Sequence, residues 1–238
     1  MNEEKGPFVR RLFDTIAGRY DLFNTVSSLT FDKRWRRVAV EQCQLASGMR
    51  VLDLCTGTGE LALGCAAAMR QEPCQSPGQV VGLDMSAPML RLASRKAERR
   101  RQSIDWLFGD ALGLPFRDGV FARVIVGFST RNLVNLALAL REIHRVLQPQ
   151  GRLVILETGK PGSPLMRAGY FLYLRTVVVV IGFLLFGKAW PFTYLQQSVA
   201  RFWEPHEFVR SLREIGFSPV TYRSLSGGIA SLYVAVKT

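Results

Sequence analysis

The stretch Val51-Leu52-Asp53-Leu54-Cys55-Thr56-Gly57-Thr58-Gly59 decides the fold. Its first four residues are mostly apolar and predict a short buried strand, and a glycine-rich turn follows directly. The next residues, Leu61-Ala62-Leu63, begin a helical pattern. A strand, a glycine turn and a helix in this order are the setting that a nucleotide-type loop requires. Because Gly57 and Gly59 lack a Cβ atom, the backbone there can adopt positive φ and approach a ligand closely.

The composition of this loop favours a cationic or neutral ligand over a phosphate. The third glycine of G-x-G-x-x-G is missing, and no Gly-Lys-Ser/Thr follows. A pyrophosphate needs the positive end of the following helix, but Glu60 puts a carboxylate there. Asp53 lies at the carboxyl end of the strand, where open α/β sheets bind their ligands. The alternative interpretation is an ordinary turn between a strand and a helix.

Two further carboxylates follow predicted strands. Asp84 ends the second strand, 25 residues after the glycine loop, where an acidic residue can hydrogen-bond a ribose. Asp110 follows the third strand, where it can reach an adenine amino group while the Ala111 amide faces a ring nitrogen; the alternative is a capping aspartate. Since the carboxyl ends of parallel strands meet at one edge of a sheet, we expect Asp53, Asp84 and Asp110 to surround one ligand.

The spacing D-x-x-x-G-x-G, with an acidic residue one strand later, resembles motif I of the class I S-adenosylmethionine-dependent methyltransferases. The resemblance implies an α/β fold: a Rossmann-like, seven-stranded sheet with helices on both faces and a C-terminal antiparallel hairpin. It implies S-adenosylmethionine as the cofactor, whose sulfonium and ammonium suit nearby carboxylates. The cofactor-binding residues that it implies are Asp53, Gly57, Thr58, Gly59, Asp84, Met85, Asp110, Ala111 and Gly127.

A second resemblance is carried by the stretch from Phe13 to Trp35, which is similar to the first signature of the ubiquinone/menaquinone biosynthesis C-methyltransferase family. That signature runs Y-D-x-M-N, then a serine, a histidine and a tryptophan. Phe23 replaces the methionine, and Asp32 stands where the family has histidine. From the residues alone we expect a polar and aromatic cluster at a turn, or an Asx-turn with a packed Tyr and Trp. The matching residues are Tyr20, Asp21, Asn24, Ser28 and Trp35.

The stretch Phe128-Ser129-Thr130-Arg131-Asn132 resembles the second signature region of the same family, F-G-x-R-N. Ser129 stands where the family has glycine, and Gly127 stands where some members have serine. Together, the two signature regions lead us to expect three catalytic residues. Arg131 would stabilise a substrate phenolate, while Asn132 and Tyr20 would orient its ring. The alternative for Arg131 is a surface arginine. Further along, Glu157-Thr158-Gly159-Lys160-Pro161 resembles the family's E-F-S-K-P.

The family resemblance implies methyl transfer to a ring carbon of a polyprenylated quinol. Demethylmenaquinol is the favoured substrate, and a benzoquinol of ubiquinone synthesis is the first alternative. Methylation of another phenolic or lipid substrate stays open. So does a non-catalytic, cofactor-binding scaffold of a quinone-synthesis complex.

The formal net charge of +12 favours anionic partners. Its basic residues are clustered, but no RNA-binding or zinc-finger signature accompanies them, so we expect a membrane surface rather than nucleic acid. Two histidines and four cysteines without paired spacing argue against a metal site and for a reduced, cytoplasmic chain. The oligomeric state is open, with a homodimer as one alternative. The clusters are Arg10-Arg11, Lys33-Arg34, Arg36-Arg37 and residues 95–101.

We expect residues 1–238 to form one domain with two additions, an N-terminal helical cap (residues 6–46) and an apolar lid (residues 163–202). Between Ala168 and Gly187 the lid is apolar except for Arg175, which approaches the ~20 residues of a membrane-spanning helix. We favour a lid that closes over an apolar ligand and dips into the membrane surface, so that the protein is peripherally membrane-associated. The alternative is a core helix.

The remaining pattern predicts the elements that complete the fold. A helix is expected over Val134–Leu147, followed by a stop at Gln148-Pro149-Gln150-Gly151 and a strand over Arg152–Glu157. A helix over Pro205–Ile215 precedes a strand hairpin that we expect at the edge of the sheet. A Pro/Gly/Ser loop is expected over Glu72–Gly78.

Overall fold

The computed structural model describes residues 5–70 and 78–238, and all but the last residue of the predicted loop Glu72–Gly78 lies outside them. A seven-stranded sheet with strand order β3-β2-β1-β4-β5-β7-β6 forms the centre of this part of the chain. The predicted α/β fold is confirmed. The strands are β1 Arg50–Leu54, β2 Gln79–Asp84, β3 Asp105–Phe108, β4 Phe121–Gly127, β5 Leu147–Thr158, β6 Phe217–Leu225 and β7 Ala230–Lys237.

The sheet is parallel from β3 to β5 and antiparallel from β5 to β6. β1 pairs with β2 on one side and with β4 on the other, so the strand order reverses direction at β1. In open α/β sheets, ligands bind in the crevice outside the carboxyl ends of the strands at such a reversal. The topology therefore indicates that a ligand binds at the carboxyl ends of β1 and β4.

Helices cover both faces of the sheet. Leu52 and Leu54 belong to one apolar cluster, with α6 and α10, whereas Val51 between them belongs to another, with α3 and α4. Alternate residues of a strand point to opposite faces, so these two clusters are the two halves of the core. The helices are α1 Lys5–Ile16, α2 Tyr20–Ser27, α3 Phe31–Gln42, α4 Glu60–Arg70, α5 Ala87–Arg99, α6 Leu136–Val146, α7 Pro164–Tyr173, α8 Val179–Phe186, α9 Trp190–Arg201 and α10 Pro205–Ile215.

The cap and the lid pack on each other. A third apolar cluster joins Leu12, Ile16 and Phe23 of the cap to Leu174 and Phe192 of the lid. A π-helical turn, Leu174–Val178, links α7 to α8. The Tyr173 hydroxyl donates to the Ser27 carbonyl at 3.0 Å, which ties the lid to the end of α2. The two additions therefore form one layer.

Two expectations about secondary structure are wrong. Residues 20–27 form helix α2 rather than a turn, because Phe23 packs on Phe192 with ring centroids 4.4 Å apart and this tertiary contact supports the helix. β5 begins at Leu147 rather than Arg152, because Leu147 already pairs with Phe121. The C-terminal hairpin is confirmed, but β7 lies inside the sheet between β5 and β6, so β6 alone is its edge strand.

Candidate functional site

Two adjacent strands end in strained residues. Cys55 after β1 has φ 55° and Phe128 after β4 has φ 57°, in the left-handed region that bulky side chains avoid. Such a conformation costs about 1–3 kcal/mol and persists where the surrounding structure enforces it, often at functional sites. The Phe128 amide is held by the Leu156 carbonyl at 2.7 Å. Both residues mark the crevice where the strand order reverses.

The glycine loop lies against Asp84. The Gly57 amide donates to Asp84 Oδ2 at 2.7 Å, and the Ser86 amide donates to Oδ1 at 2.8 Å. Gly57 has φ +56° with open space around its Cα, whereas a Cβ on Gly59 would lie 2.7 Å from the Trp106 ring. Only glycine allows both the positive φ of this loop and so close an approach to the Trp106 ring. Burial raises the pKa of Asp84, and the two amide bonds oppose that shift.

A cavity of about 90 Å³, which we call the glycine-loop cavity, opens above this loop. Helix α1 covers it: Lys5 Nζ donates to the Leu133 carbonyl at 2.8 Å, and Ser86 Oγ donates to Asp14 Oδ1 at 2.5 Å. Five of the predicted cofactor-binding residues line this cavity, namely Gly57, Asp84, Met85, Asp110 and Gly127.

The other predicted cofactor-binding residues, Asp53, Thr58, Gly59 and Ala111, lie outside the lining of this cavity. Asp53 Oδ2 instead accepts hydrogen bonds from Thr56 Oγ1 at 2.6 Å and from the Ala62 amide at 2.9 Å. Burial raises its pKa from an ordinary 3.8 to about 7, which outweighs these two bonds. Asp53 therefore positions the loop from below. Contacts of these four residues with a cofactor remain predictions.

A second, mostly apolar cavity of about 330 Å³ lies between the cap and the lid; we call it the apolar cavity. Four residues line both cavities, and we call them the shared wall: Phe13, Tyr20, Phe128 and Asn132. Two of the predicted catalytic residues, Tyr20 and Asn132, thus stand where the cavities meet. A ligand in each cavity would be separated only by this wall.

The third predicted catalytic residue, Arg131, lines the apolar cavity in a buried ion pair. Its Nη1 donates to Glu157 Oε1 and, at 2.6 Å, to the Phe128 carbonyl. Glu157 is fully buried and accepts four further bonds, from Thr130 Oγ1 at 2.7 Å, from the Arg131 amide at 3.3 Å, and from the amide and Oγ1 of Thr158 at 2.8 Å and 3.1 Å. Bonds to a buried carboxylate hold both segments in one geometry.

Several polar atoms at the cavities have no protein partner. Asn132 Oδ1, Tyr194 Oη and Arg131 Nε are buried and unpaired among the residues that the structure describes. Burial raises the pKa of Tyr194, and it raises the pKa of Tyr170 to about 12, while the Arg131 charge opposes both shifts. Unpaired buried polar groups are costly, so they point to a polar ligand group.

The profile of the ubiE/COQ5 methyltransferase family matches residues 1–237. The chain belongs to this family. It is 39% identical over 231 residues to the demethylmenaquinone methyltransferase of Lactiplantibacillus plantarum, covering 96% of this chain and 95% of the relative. It is 42% identical over 224 residues to that of Thermus thermophilus, covering 94% and 98%. The Geotalea uraniireducens protein UbiE, a ubiquinone/menaquinone biosynthesis C-methyltransferase, is 39% identical over 98% of both chains.

Solved structures agree on the fold. A methyltransferase from Thermotoga maritima, described as a possible histamine N-methyltransferase, superposes with a TM-score of 0.65 at 19% identity, covering 97% of this chain and all of the other. An S-adenosylmethionine-dependent methyltransferase from Aquifex aeolicus gives 0.62 at 17% identity, covering 85% and 89%. Its membership of the family makes the chain an S-adenosylmethionine-dependent C-methyltransferase, and the fold is consistent with this activity.

The glycine-loop cavity fits the methyl donor of this family. Its lining carries the carboxylates of Asp84 and Asp110, and it contains no arginine or lysine side chain among the described residues. Such a lining suits a cationic donor and hydroxyl or amino groups rather than a phosphate. The open space at Gly57 lets backbone approach a ligand.

Sequence reasoning missed three residues of the site: Glu157, Tyr170 and Tyr194. Glu157 lies within a stretch that resembles a family motif, but a carboxylate at the end of β5 gives no sign that it will pair with an arginine after β4. Tyr170 and Tyr194 reach the site only because the lid folds back over the cap. That packing has no local signature.

The raised pKa of Asp53 predicts a pH-dependent stability. Between about pH 4 and pH 7 the folded state keeps a proton that the unfolded state has released, so the free energy of unfolding falls as pH rises. Asp53→Asn lacks this component. Relative to wild type, the cofactor-free variant should gain about 3 kcal/mol between pH 4.5 and pH 8, at ~1.4 kcal/mol per pH unit up to about pH 7. Urea denaturation at both pH values measures this difference.

The control for this change is Asp118→Asn, which alters a carboxylate whose side chain is 80% exposed. It should leave the pH dependence of unfolding close to that of wild type. An Asp53→Asn variant whose stability relative to wild type is the same at pH 4.5 and pH 8 contradicts the assignment.

Proposed function

We propose that this enzyme methylates a ring carbon of a polyprenylated naphthoquinol, converting demethylmenaquinol to menaquinol. The observation that carries the proposal is the shared wall, across which an apolar cavity adjoins the glycine-loop cavity. A cationic donor suits one side and a lipid-soluble aromatic acceptor suits the other. The demethylmenaquinone methyltransferases at 39% and 42% identity support this substrate class.

S-adenosylmethionine supplies an electrophilic methyl group when it is bound. Gly57, Asp84, Met85, Asp110 and Gly127 would hold it, since these residues line the glycine-loop cavity. The cavity is small beside the ~300–1,000 Å³ of typical ligand pockets, because α1 covers it. We infer that α1 shifts when the donor enters. The polar contacts that secure α1 are few: Lys5 donates to the carbonyls of Leu133 and Arg131, and Asp14 accepts from Ser86.

Catalysis by the protein is then mainly positioning. Tyr20, Phe128 and Asn132 face the acceptor from the shared wall, and the unpaired Asn132 Oδ1 suits a quinol hydroxyl as hydrogen-bond donor. Holding two reactants in a reactive geometry can supply up to ~7–11 kcal/mol of the barrier. The strained backbone of Phe128 keeps its ring in this wall.

Arg131 stabilises negative charge that develops on the quinol oxygen. Glu157 and the Phe128 carbonyl occupy Nη1, and Nε stays buried and unpaired among the described residues. The guanidinium remains protonated, so it acts as a hydrogen-bond donor. Glu157 neutralises the charge of Arg131 but fixes its plane, which makes Arg131 a preorganised donor.

The polyprenyl tail fits the lid. Leu174, Val178, Phe192 and Val199 present apolar side chains to the apolar cavity. Residues Pro164–Phe186 form one continuous helix of 23 residues. Its most apolar 18-residue stretch has a mean hydropathy of 2.0, so the helix is long and apolar enough to cross a membrane, and 22% of that stretch is buried. The buried side faces the cap. The rest exposes large apolar residues, namely Leu165, Leu172, Val177, Val180, Phe183 and Leu184.

We propose that this exposed face lies on an anionic membrane surface. Helix α8 packs on α2 through Phe186 and Phe23, whose ring centroids are 6.3 Å apart, and Arg19 just before α2 donates to the Leu185 carbonyl at 2.6 Å. The helix is therefore part of the fold rather than a free span. Lys160, Arg167 and Arg175 line a groove beside Leu172, together with Glu204, which pairs with Lys160 and Arg167. Apolar side chains next to basic ones suit the boundary between acyl chains and anionic headgroups. The protein is then a peripheral membrane protein of the cytoplasm.

The test uses anionic vesicles that carry chemically reduced demethylmenaquinol, with labelled S-adenosylmethionine and no oxygen. Wild-type protein should transfer label to this naphthoquinol, faster than to a tailed benzoquinol. The variant Leu172→Gln/Leu184→Gln should lose at least about tenfold on the vesicle-borne substrate, because it removes two leucine side chains from the membrane face. It should keep its activity on untailed naphthalene-1,4-diol in solution.

The control is Leu138→Gln, the same change at an exposed leucine on α6, which should match wild type in both assays. Absence of transfer to any quinol contradicts the proposed reaction. If the enzyme prefers the benzoquinol, the proposed substrate is wrong and the substrate is that of ubiquinone synthesis. The name of the relative from Geotalea uraniireducens covers both pathways. Equal loss on tailed and untailed substrates contradicts the membrane face.

The role of Arg131 is tested by removing its charge together with that of Glu157. A single Arg131→Ala leaves a buried, unpaired carboxylate at a cost of ~3–5 kcal/mol, so its effect on kcat is hard to interpret. In Arg131→Met/Glu157→Gln, kcat should fall by about 10²–10³, as when one preorganised donor is removed. The Kd for S-adenosylhomocysteine should stay within about threefold. Losses of similar size in kcat and in this affinity contradict the assignment.

A further inference from the structure

Asp32 places a carboxylate in the apolar cavity. It lies in the first turn of α3 and is 8% exposed. Among residues 5–70 and 78–238 it is the one carboxylate in the lining of this cavity. A carboxylate in apolar surroundings is costly unless its oxygens are used. Its presence among mostly apolar side chains therefore calls for an explanation.

The contacts of Asp32 leave it able to accept another hydrogen bond. Ser28 Oγ donates to Oδ1 at 2.9 Å, and Arg36 Nε lies 3.8 Å from Oδ2, too far for a hydrogen bond. An ionised carboxylate has about four acceptor sites. Arg36 therefore leaves Oδ2 free of a hydrogen bond from its side chain, and Arg36 Nε has no hydrogen-bond partner among the described residues.

Asp32 is close to the shared wall. The Arg36 guanidinium lies over the Phe128 ring, 5.2 Å from its centroid. Arg36 Nη1 also lies 3.9 Å from the point where a Cβ on Gly127 would be, and Gly127 lines the glycine-loop cavity. Arg36 therefore connects Asp32 to the place where the two cavities meet. The carboxylate faces the acceptor side of that place.

The other ionisable groups around the apolar cavity are not suited to take a proton. Arg131 stays protonated, and Glu157 is occupied by Arg131, Thr130 and Thr158. The lid adds three tyrosine hydroxyl groups. Burial raises the pKa of each, so they keep their own protons at neutral pH and do not act as bases: Tyr170, Tyr173 and Tyr194. Below Arg36 lies Asp53, which is bonded to the glycine loop.

We propose that Asp32 accepts the proton of the quinol hydroxyl during methyl transfer. The step, which rests on the proposed function, breaks the O–H bond and leaves its electron pair on oxygen, from where charge moves to the ring carbon. That carbon forms a bond to the methyl group as the bond from methyl to sulfur breaks, so the sulfonium becomes a thioether. The proton on the methylated ring carbon then leaves to water, which restores the aromatic ring with its oxygen as a phenolate, and Asp32 returns the proton to that oxygen.

Proton transfer must accompany bond formation. A phenolic hydroxyl has a pKa near 10 and a carboxyl near 4, so at rest the proton stays on the quinol. As the ring carbon acquires the methyl group, the hydroxyl becomes that of a protonated ketone, which is a far stronger acid. The proton then moves downhill to Asp32. A group that removes a proton in this way contributes about 10²–10⁴ in rate.

Two substitutions of Asp32 give the test. Asp32→Asn keeps the shape of the side chain, including an oxygen for Ser28, but removes the base. Asp32→His restores a base of a different kind, an imidazole, whose ordinary pKa near 6.5 is higher than that of a carboxyl group. The kinetic constants kcat and KM are measured on naphthalene-1,4-diol from pH 5 to pH 9. The affinity for S-adenosylhomocysteine and the thermal stability are measured separately.

We expect kcat of Asp32→Asn to fall by about 10²–10⁴ at pH 7, with KM and the S-adenosylhomocysteine affinity within about threefold. Its residual rate should rise with pH, because hydroxide then removes the proton. Asp32→His should recover most of kcat at pH 8, and its rate should fall on the acid side at a higher pH than that of wild type, because an imidazole is protonated at higher pH than a carboxylate. The control variant Asp118→Asn should match wild type.

The proposal is overturned if kcat of Asp32→Asn stays within threefold of wild type. It is also overturned if kcat falls together with S-adenosylhomocysteine affinity and stability, which marks a structural role, or if Asp32→His is as slow as Asp32→Asn at every pH. Failure of the wild type itself to methylate any quinol overturns the proposed function, and this inference with it. Wild-type activity with an active Asp32→Asn overturns only the inference.

Discussion

The site depends on one buried carboxylate, Glu157. It ends β5 and binds Thr130 and Arg131, which follow the neighbouring strand β4. These bonds hold the segment from Phe128 to Asn132, and that segment contributes two of the four residues of the shared wall. A paired carboxylate at 0% exposure is tolerated only when its oxygens are satisfied, and here they are. The position of the shared wall therefore depends on side-chain bonds between the ends of two adjacent parallel strands, β4 and β5.

The same edge of the sheet explains the division of labour between the cavities. The glycine loop after β1 and Asp84 at the end of β2 form a small cavity with carboxylates in its lining, while the cap and the lid enclose a larger apolar cavity. Neither addition forms the apolar cavity alone, since residues of both line it. A charged donor and a lipid-soluble acceptor can thus meet in one protein. The lid's outer face remains apolar, which suits an enzyme whose substrate resides in a bilayer.

Much of this arrangement could be predicted from the sequence, because local chemistry determines it. The glycine loop after β1, the end of β2 at Asp84 and the place of Asp110 just after β3 follow from residue type and spacing. Helix α2 could not be predicted, since Phe23 packs on a residue of the lid. Nor could the partner of Arg131 or the roles of Tyr170 and Tyr194, because they depend on distant segments meeting. Asp32 looked like a departure from the family pattern, and only the cavity around it gives it a chemical environment.

The most direct test of the shared wall is a crystal structure of the enzyme with S-adenosylhomocysteine and an untailed naphthalene-1,4-diol analogue. The thioether sulfur should lie in the glycine-loop cavity and the aromatic ring in the apolar cavity, with the sulfur directed at a ring carbon beside Tyr20, Phe128 and Asn132. A ring bound elsewhere, or a nucleoside bound between the cap and the lid, contradicts this arrangement.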